Sequence, residues 1–223
     1  MNSNPEIDIF DDRYNHIGIA GKKEAHEKGL WHRTFSCLVI NPSKAVVHLQ
    51  KKHANQYSFD RPDYVEVVTA GGHYEAGESI EDGIRELHEE LNLKKVTYSD
   101  LYPLGIRQTS VTIAPQYIER EFQHLHLLPL DISLIDYSLG NAEVSGLVEI
   151  AIEDGITLAS GKAAEIHATY LHWPTGTFSA EISPGTLRAT DLIPGYLATD
   201  QLYLRMFIAA QRFVAGQCEY LLW

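Results

Sequence analysis

Three glutamates, Glu86, Glu89 and Glu90, fall within five consecutive positions of the segment GGHYEAGESIEDGIRELHEELNL, residues 71 to 93. Side chains three and four apart share one face of a helix, so the spacing predicts carboxylates that converge on one small volume. Like charges held that close repel unless a cation sits among them. Hard divalent ions such as Mg²⁺ take oxygen ligands, usually a few carboxylates together with water and substrate phosphates. The cluster therefore reads as a metal-dependent phosphate site, with Glu86, Glu89 and Glu90 as ligands of Mg²⁺ and Mn²⁺ as the alternative ion. A solvated acidic helix is the plainer reading, and the residues before the cluster argue against it.

Gly71, Gly72 and Gly77 allow the preceding loop a tight backbone course. Ser79 followed by Asp82 has the form of a capping pair that opens the helix. Arg85, next to the first clustered acid, can fork onto Glu78 and tie loop to helix through charge-assisted hydrogen bonds.

Together these residues resemble the Nudix box, which runs glycine, five residues, glutamate, seven residues, then Arg-Glu-aliphatic-x-Glu-Glu-x-Gly-aliphatic. Gly72, Glu78, Arg85, Glu86, Leu87, Glu89, Glu90 and Leu93 fill it in order. Two positions depart. Six residues, Ser79 to Ile84, separate Glu78 from Arg85, and Asn92 stands at the final glycine, a mild change because Asn tolerates left-handed backbone. The resemblance implies a Nudix-like α/β/α sandwich with a mixed β-sheet. It also implies a hydrolase that cleaves a phosphoanhydride bond in a small diphosphate-containing metabolite, such as a nucleoside diphosphate derivative or an isoprenoid diphosphate. Arg85, Glu86, Glu89, Glu90 and a strand acid, Glu121, are then the catalytic set, with a clustered glutamate or Glu121 as the base. Lys51 and Lys52 resemble the basic pair that approaches substrate phosphates in related proteins, with ordinary surface charge as their plainer role.

A second resemblance extends upstream. AHEKGLWHRTFSCLVIN, residues 25 to 41, is similar to the isopentenyl diphosphate isomerase-like branch of the Nudix superfamily. Isomerases of that branch place a metal site on histidines before the first core strand, a histidine in the glycine loop and two alternate glutamates on a later strand. His26, His32, His73, Glu119 and Glu121 match these positions and are additional candidate metal ligands, with packing, capping or a solvated strand face as their plainer roles. Gly71 departs from the branch: the residue two before the loop histidine is a catalytic cysteine in the isomerases, and glycine has no side chain for proton transfer. The isomerases also have a degenerate Nudix box, whereas Arg85-Glu86-Leu87-x-Glu89-Glu90 is complete here. Both differences favour hydrolysis. An isomerase-like enzyme and a noncatalytic diphosphate-metabolite sensor remain as alternatives.

The elements that must position these residues follow from the hydrophobic pattern. Strands are predicted around residues 33–40 and 45–50 with NPSK as the turn between them, another from Val65 to Ala70, then the acidic helix, then strands over 120–128 and Val144 to Ile152. A C-terminal helix is predicted from about Thr199 to Ala215, with Leu202, Met206, Ala209 and Phe213 as its packing stripe. Residues 1–223 read as one domain, with an N-terminal extension over 1–30, a core over 31–155 and a C-terminal elaboration over 156–223.

With 223 residues and 44% hydrophobic composition, the chain can bury a sizeable core. Its formal charge of −12, with no dense Lys/Arg stretch, argues against long nucleic acid as a partner. No apolar run reaches membrane-spanning length and the amino terminus lacks a secretory pattern, so a cytoplasmic protein without membrane engagement is expected. Cys37 and Cys218 lack metal-ligand spacing and are expected as reduced thiols. The pattern leaves a homodimer open.

Overall fold

The computed structural model describes residues 4–52, 64–139, 144–172 and 180–219. Its N-terminal part comprises β1 (Glu6–Phe10), β2 (His16–Gly21), α1 (Lys22–Lys28), β3 (Trp31–Asn41), β4 (Val46–Lys52), β5 (Val65–Glu66) and β6 (Ala70–His73). There follow α2 (Arg85–Leu91), β7 (Tyr102–Ala114), β8 (Tyr117–Pro129), β9 (Val144–Ala151), α3 (Ile152–Ala159), β10 (Glu165–His172), β11 (Glu181–Arg188), α4 (Pro194–Ala198) and α5 (Leu202–Val214).

The long apolar strand β3 organises the rest. One edge runs parallel to β8 from His32 to Ile40. The other is shared in series by three antiparallel partners: β1 at Trp31–His32, β6 at Thr34–Cys37 and β4 at Val39–Asn41. The mixed sheet continues from β4 through β9 and β10 to β11, from β1 to β2, and from β8 to β7, with β5 added on β4. Successive side chains of a strand alternate, so β3 feeds two cores. Phe35, Cys37 and Val39 pack with Leu87 and Leu91 of α2, whereas Leu38 and Ile40 pack with Leu158 of α3 and with Met206 and Phe207 of α5. Each such side chain, fully buried, contributes about 1.5–3 kcal/mol. Helices therefore cover both faces, giving the expected α/β/α layering.

Residues 6–30 form a hairpin and a helix, with β1 built into the sheet against β3. The stretch from Val65 to Ala70 is not one strand. Val65 and Glu66 pair with β4, and Ala70 opens β6 on β3, so the chain changes partner between them. Thr69 makes that crossing: its amide donates to the Cys37 carbonyl and its hydroxyl accepts from the Val39 amide, both at 2.8 Å. The C-terminal helix begins at Leu202 instead of Thr199, because Gln201 adopts a left-handed conformation (φ 57°) that a helix cannot pass through. Its buried side is Leu202, Tyr203, Met206, Phe207 and Ala210, so Ala209 and Phe213 lie at the margin of the stripe. Among the described residues no helix is long and apolar enough to cross a membrane.

Both cysteines are free; Cys37 is buried and Cys218 partly exposed. Burial pushes the Cys37 thiol well above its usual range. In the native full-length protein a thiol reagent is expected to modify Cys218 readily and Cys37 only after denaturation. Equal titration of both thiols before unfolding would contradict this packing of β3.

Candidate active site

The loop after β6 turns at Gly77, whose φ of +82° lies in the left-handed region that favours glycine. The Asp82 carboxylate then accepts from the Ser79 amide and hydroxyl, both at 2.8 Å. A 3₁₀ turn, Glu81–Ile84, leads into α2. Its greater rise per residue explains how six residues can do the work of seven. Arg85 still reaches Glu78: Nε donates to Oε1 at 3.1 Å and a terminal nitrogen to Oε2 at 3.4 Å. That nitrogen also donates to the His73 carbonyl at 3.2 Å. The other terminal nitrogen donates to Glu89 at 3.0 Å and lies 3.1 Å from a Glu86 oxygen. Asn92 ends the helix in the left-handed conformation, φ 55°.

Glu90 lies beyond this fork. The residue is 2% exposed, and its carboxyl accepts from Gln50 Nε2 at 2.9 Å and from the Gly71 amide at 3.1 Å. Burial pushes it up to about 8, with the Glu86 charge adding to the effect and Lys52, Gly71 and Gln50 opposing it. Glu86 is also buried, and a Cβ on Gly72 would fall 2.4 Å from its carboxyl group, so a larger residue there would displace that carboxyl. The Glu89 side chain is half exposed. Lys52 pairs with Glu66 at 3.5 Å while its charge reaches Glu90 and His73. Lys51 takes part through its carbonyl, which accepts from the Ser145 hydroxyl at 2.9 Å.

A second group lies on the other side of β6. Among the described residues, His26 of α1, His32 of β3 and His73 of β6 place one possible ligand atom each within 4.8 Å of one another. His26 Nε2 is 3.1 Å from His73 Nε2. Burial is the main cause that holds all three imidazoles in the neutral, ligating form, with His26 pushed down to about 3 and His32 and His73 also lowered. The Leu30 carbonyl, 2.8 Å from His32 Nδ1, can only accept, which assigns the proton to Nδ1. His32 Nε2 is then a lone pair without a partner, fully buried and 3.8 Å from a Glu121 oxygen. Two acceptors face each other with no proton between them, an arrangement a cation relieves; leaving a buried acceptor unsatisfied costs about 1–3 kcal/mol. Glu121 also accepts from the Thr34 hydroxyl at 3.4 Å. Glu119 lies two positions before Glu121 on β8, outside the compact histidine group, and the charges of both act on Tyr196.

Strand alternation turns His124 and His126 to the opposite face, where they meet Phe35, Tyr74 and Tyr98. Sequence reasoning missed Gln50 and the Gly71 amide as the seat of Glu90. The available signal was a glutamine inside the apolar run VVHLQ.

Residues 30–173 match the family model described as NUDIX domain. The chain belongs to the Nudix family. It is 38% identical over 150 residues to an uncharacterized Nudix hydrolase from Clostridium acetobutylicum, covering 66% of this chain and 70% of that protein. It is 33% identical over 131 residues to isopentenyl-diphosphate Δ-isomerase 2 from Photorhabdus laumondii, covering 55% of this chain and 66% of that enzyme. A crystal structure of a Deinococcus radiodurans protein shares the fold, with a TM-score of 0.51 at 19% identity over 70% of this chain and 89% of that one.

The Glu90 seat has a measurable signature. With the carboxyl raised from 4.5 to about 8, the metal-free native state keeps a proton that the unfolded chain has lost across that window. Stability therefore falls as pH rises through it. Metal-free Glu90→Gln, which cannot titrate, should gain stability relative to wild type from about pH 4.5 to about pH 8 and hold a constant advantage above. Denaturant unfolding in a chelator at a series of pH values checks this, and a pH-independent difference would remove the buried, protonated Glu90.

Proposed function

We propose that this Nudix protein is a Mg²⁺-dependent hydrolase that cleaves a phosphoanhydride bond in a small diphosphate-containing metabolite. The observation that carries the reading is the fixing of the three helix glutamates from two sides, Glu86 and Glu89 by Arg85 and Glu90 by Gln50 and Gly71. Their oxygens suit a hard divalent ion. When bound there, the ion supplies neutralisation of phosphate charge and a water of lowered pKa. The protein's own part is to hold those ligands, to bring the Lys52 charge beside them and to take the proton from the attacking water. Glu121 on β8, across β3 from β6, or a clustered glutamate serves as that base. His26, His32 and His73, with Glu121 beside them, form a second metal pocket on this reading.

Gly71 supports hydrolysis over isomerisation. A Cβ at this position would lie 2.9 Å from the Phe35 carbonyl, so the backbone leaves no room for the cysteine of the isomerases without a shift of β3. The histidine pocket is the observation that favours the second reading, an isopentenyl diphosphate isomerase-like enzyme. Full-length protein with Mg²⁺ and isopentenyl diphosphate in deuterated water discriminates: no dimethylallyl diphosphate and no deuterium in recovered substrate are expected. Efficient double-bond migration would promote the isomerase.

A metal-supplemented screen of nucleoside, sugar, cofactor and isoprenoid diphosphates, read by phosphate release, tests the main proposal. Glu89→Gln or Glu90→Gln should lower turnover of the best substrate about a hundredfold or more, since losing a charged ligand removes several kcal/mol of transition-state stabilisation. Wild-type turnover by the folded double variant would exclude the cluster. Arg85→Lys should cost less, because it keeps the charge and loses the fork; unchanged turnover would exclude the bridge to Glu78.

A further inference from the structure

The hairpin β1–β2 lies outside the residues that match the family model, yet its Asp8 reaches the loop that carries Glu78. Asp8 is buried. One of its oxygens accepts from the Gly77 amide and from the Arg33 guanidinium, both at 3.1 Å, and the other lies 3.1 Å from His16 Nε2. The same Arg33 nitrogen donates to the Glu78 carbonyl at 2.7 Å. The guanidinium sits 5.2 Å from the ring centres of both Phe10 on the hairpin and Tyr74 on the loop. Two further bonds complete the restraint. The Tyr74 hydroxyl donates to the Ile80 carbonyl at 3.1 Å, and the Ala76 amide donates to the Glu6 carbonyl of β1 at 2.9 Å.

We propose that Asp8 and Arg33 are positioning residues of the glutamate site. They hold Gly77 and Glu78; Glu78 holds Arg85, and Arg85 holds Glu86 and Glu89. The inference rests on the reading of that cluster as a metal site and extends its framework to a hairpin that the Nudix box does not contain. Tyr74 anchors one end of the loop in the core, but Glu75 and Gly77 beyond it are exposed, and such a stretch opens locally unless polar bonds restrain it. The competing role is a latch that steadies the hairpin and has no effect at the glutamates.

Asp8→Asn keeps the side-chain shape and removes the charge, and Arg33→Lys keeps the charge and removes the fork, so either folded variant provides the test. In the metal-free full-length protein, amide exchange over residues 75–80 should accelerate about tenfold, the scale set by loss of a charge-assisted hydrogen bond, while the sheet strands exchange as in wild type. Mn²⁺ is titrated by electron paramagnetic resonance in a His26→Ala background, which disables the histidine pocket. Affinity should there weaken about tenfold, as for loss of a residue that orients metal ligands. Adding Asp8→Asn to Glu78→Gln should weaken it no further than Glu78→Gln alone. Folded variants with wild-type loop exchange, or a loosened loop with unchanged Mn²⁺ affinity, overturn the proposal. A His26→Ala parent that binds no Mn²⁺ overturns the metal reading and the positioning role together.

Discussion

Carboxylates do not gather unaided, and one guanidinium gathers most of those in this site. Arg85 donates to Glu78, to Glu89 and to the His73 carbonyl, and lies against Glu86. A planar fork can serve such divergent acceptors at once, which a single ammonium cannot. Glu90, outside that reach, is stabilised differently, in a dry seat where an amide side chain and a main-chain N–H point at it. The loop, the helix and strand β6 derive their relative placement from these two arrangements.

Three residues of β6 place two kinds of chemistry side by side. Gly71 donates to Glu90, Gly72 gives way to Glu86, and His73 turns into the imidazole group. Oxygen donors prevail on one side and neutral nitrogen donors on the other.

The parts legible in the sequence were those set by local spacing. Arg85, Glu86, Glu89 and Glu90 lie on a single helix, so their closeness follows from its period, although among the described residues the compact ligand group is the three histidines and not these carboxylates. The strand at 33–40 and the helix end at Asn92 were readable for the same reason. Alternation likewise puts Glu119 and Glu121 on one side of a strand, while the meeting of Glu121 with His32 comes from the parallel register of β3 and β8. What spacing does not encode is which strands meet. Gln50 becomes the partner of Glu90 only because β4 lies near β6 at the change of partner that also splits Val65–Ala70 into two strands. Asp8 meets Gly77 only because β1 takes the first register positions on β3. The start of α5 was misplaced because a left-handed glutamine has no signature in an apolar period.

One edge of β3 takes β8, which follows it in the chain, and the other takes β1, which precedes it, in series with β6 and β4, which follow. The parallel partnership with β8 cannot close until Pro129 has been added, whereas the β1 hairpin is complete before β3 begins. Early in synthesis, one long edge of the most apolar strand therefore stands open beside a finished hairpin. Such non-local closure carries a loop-entropy cost before any contact compensates it, and topologies of this kind fold slowly. His26 and His32 must wait for Glu121 throughout that interval, so this polar group is completed only when β8 docks on the parallel edge of β3.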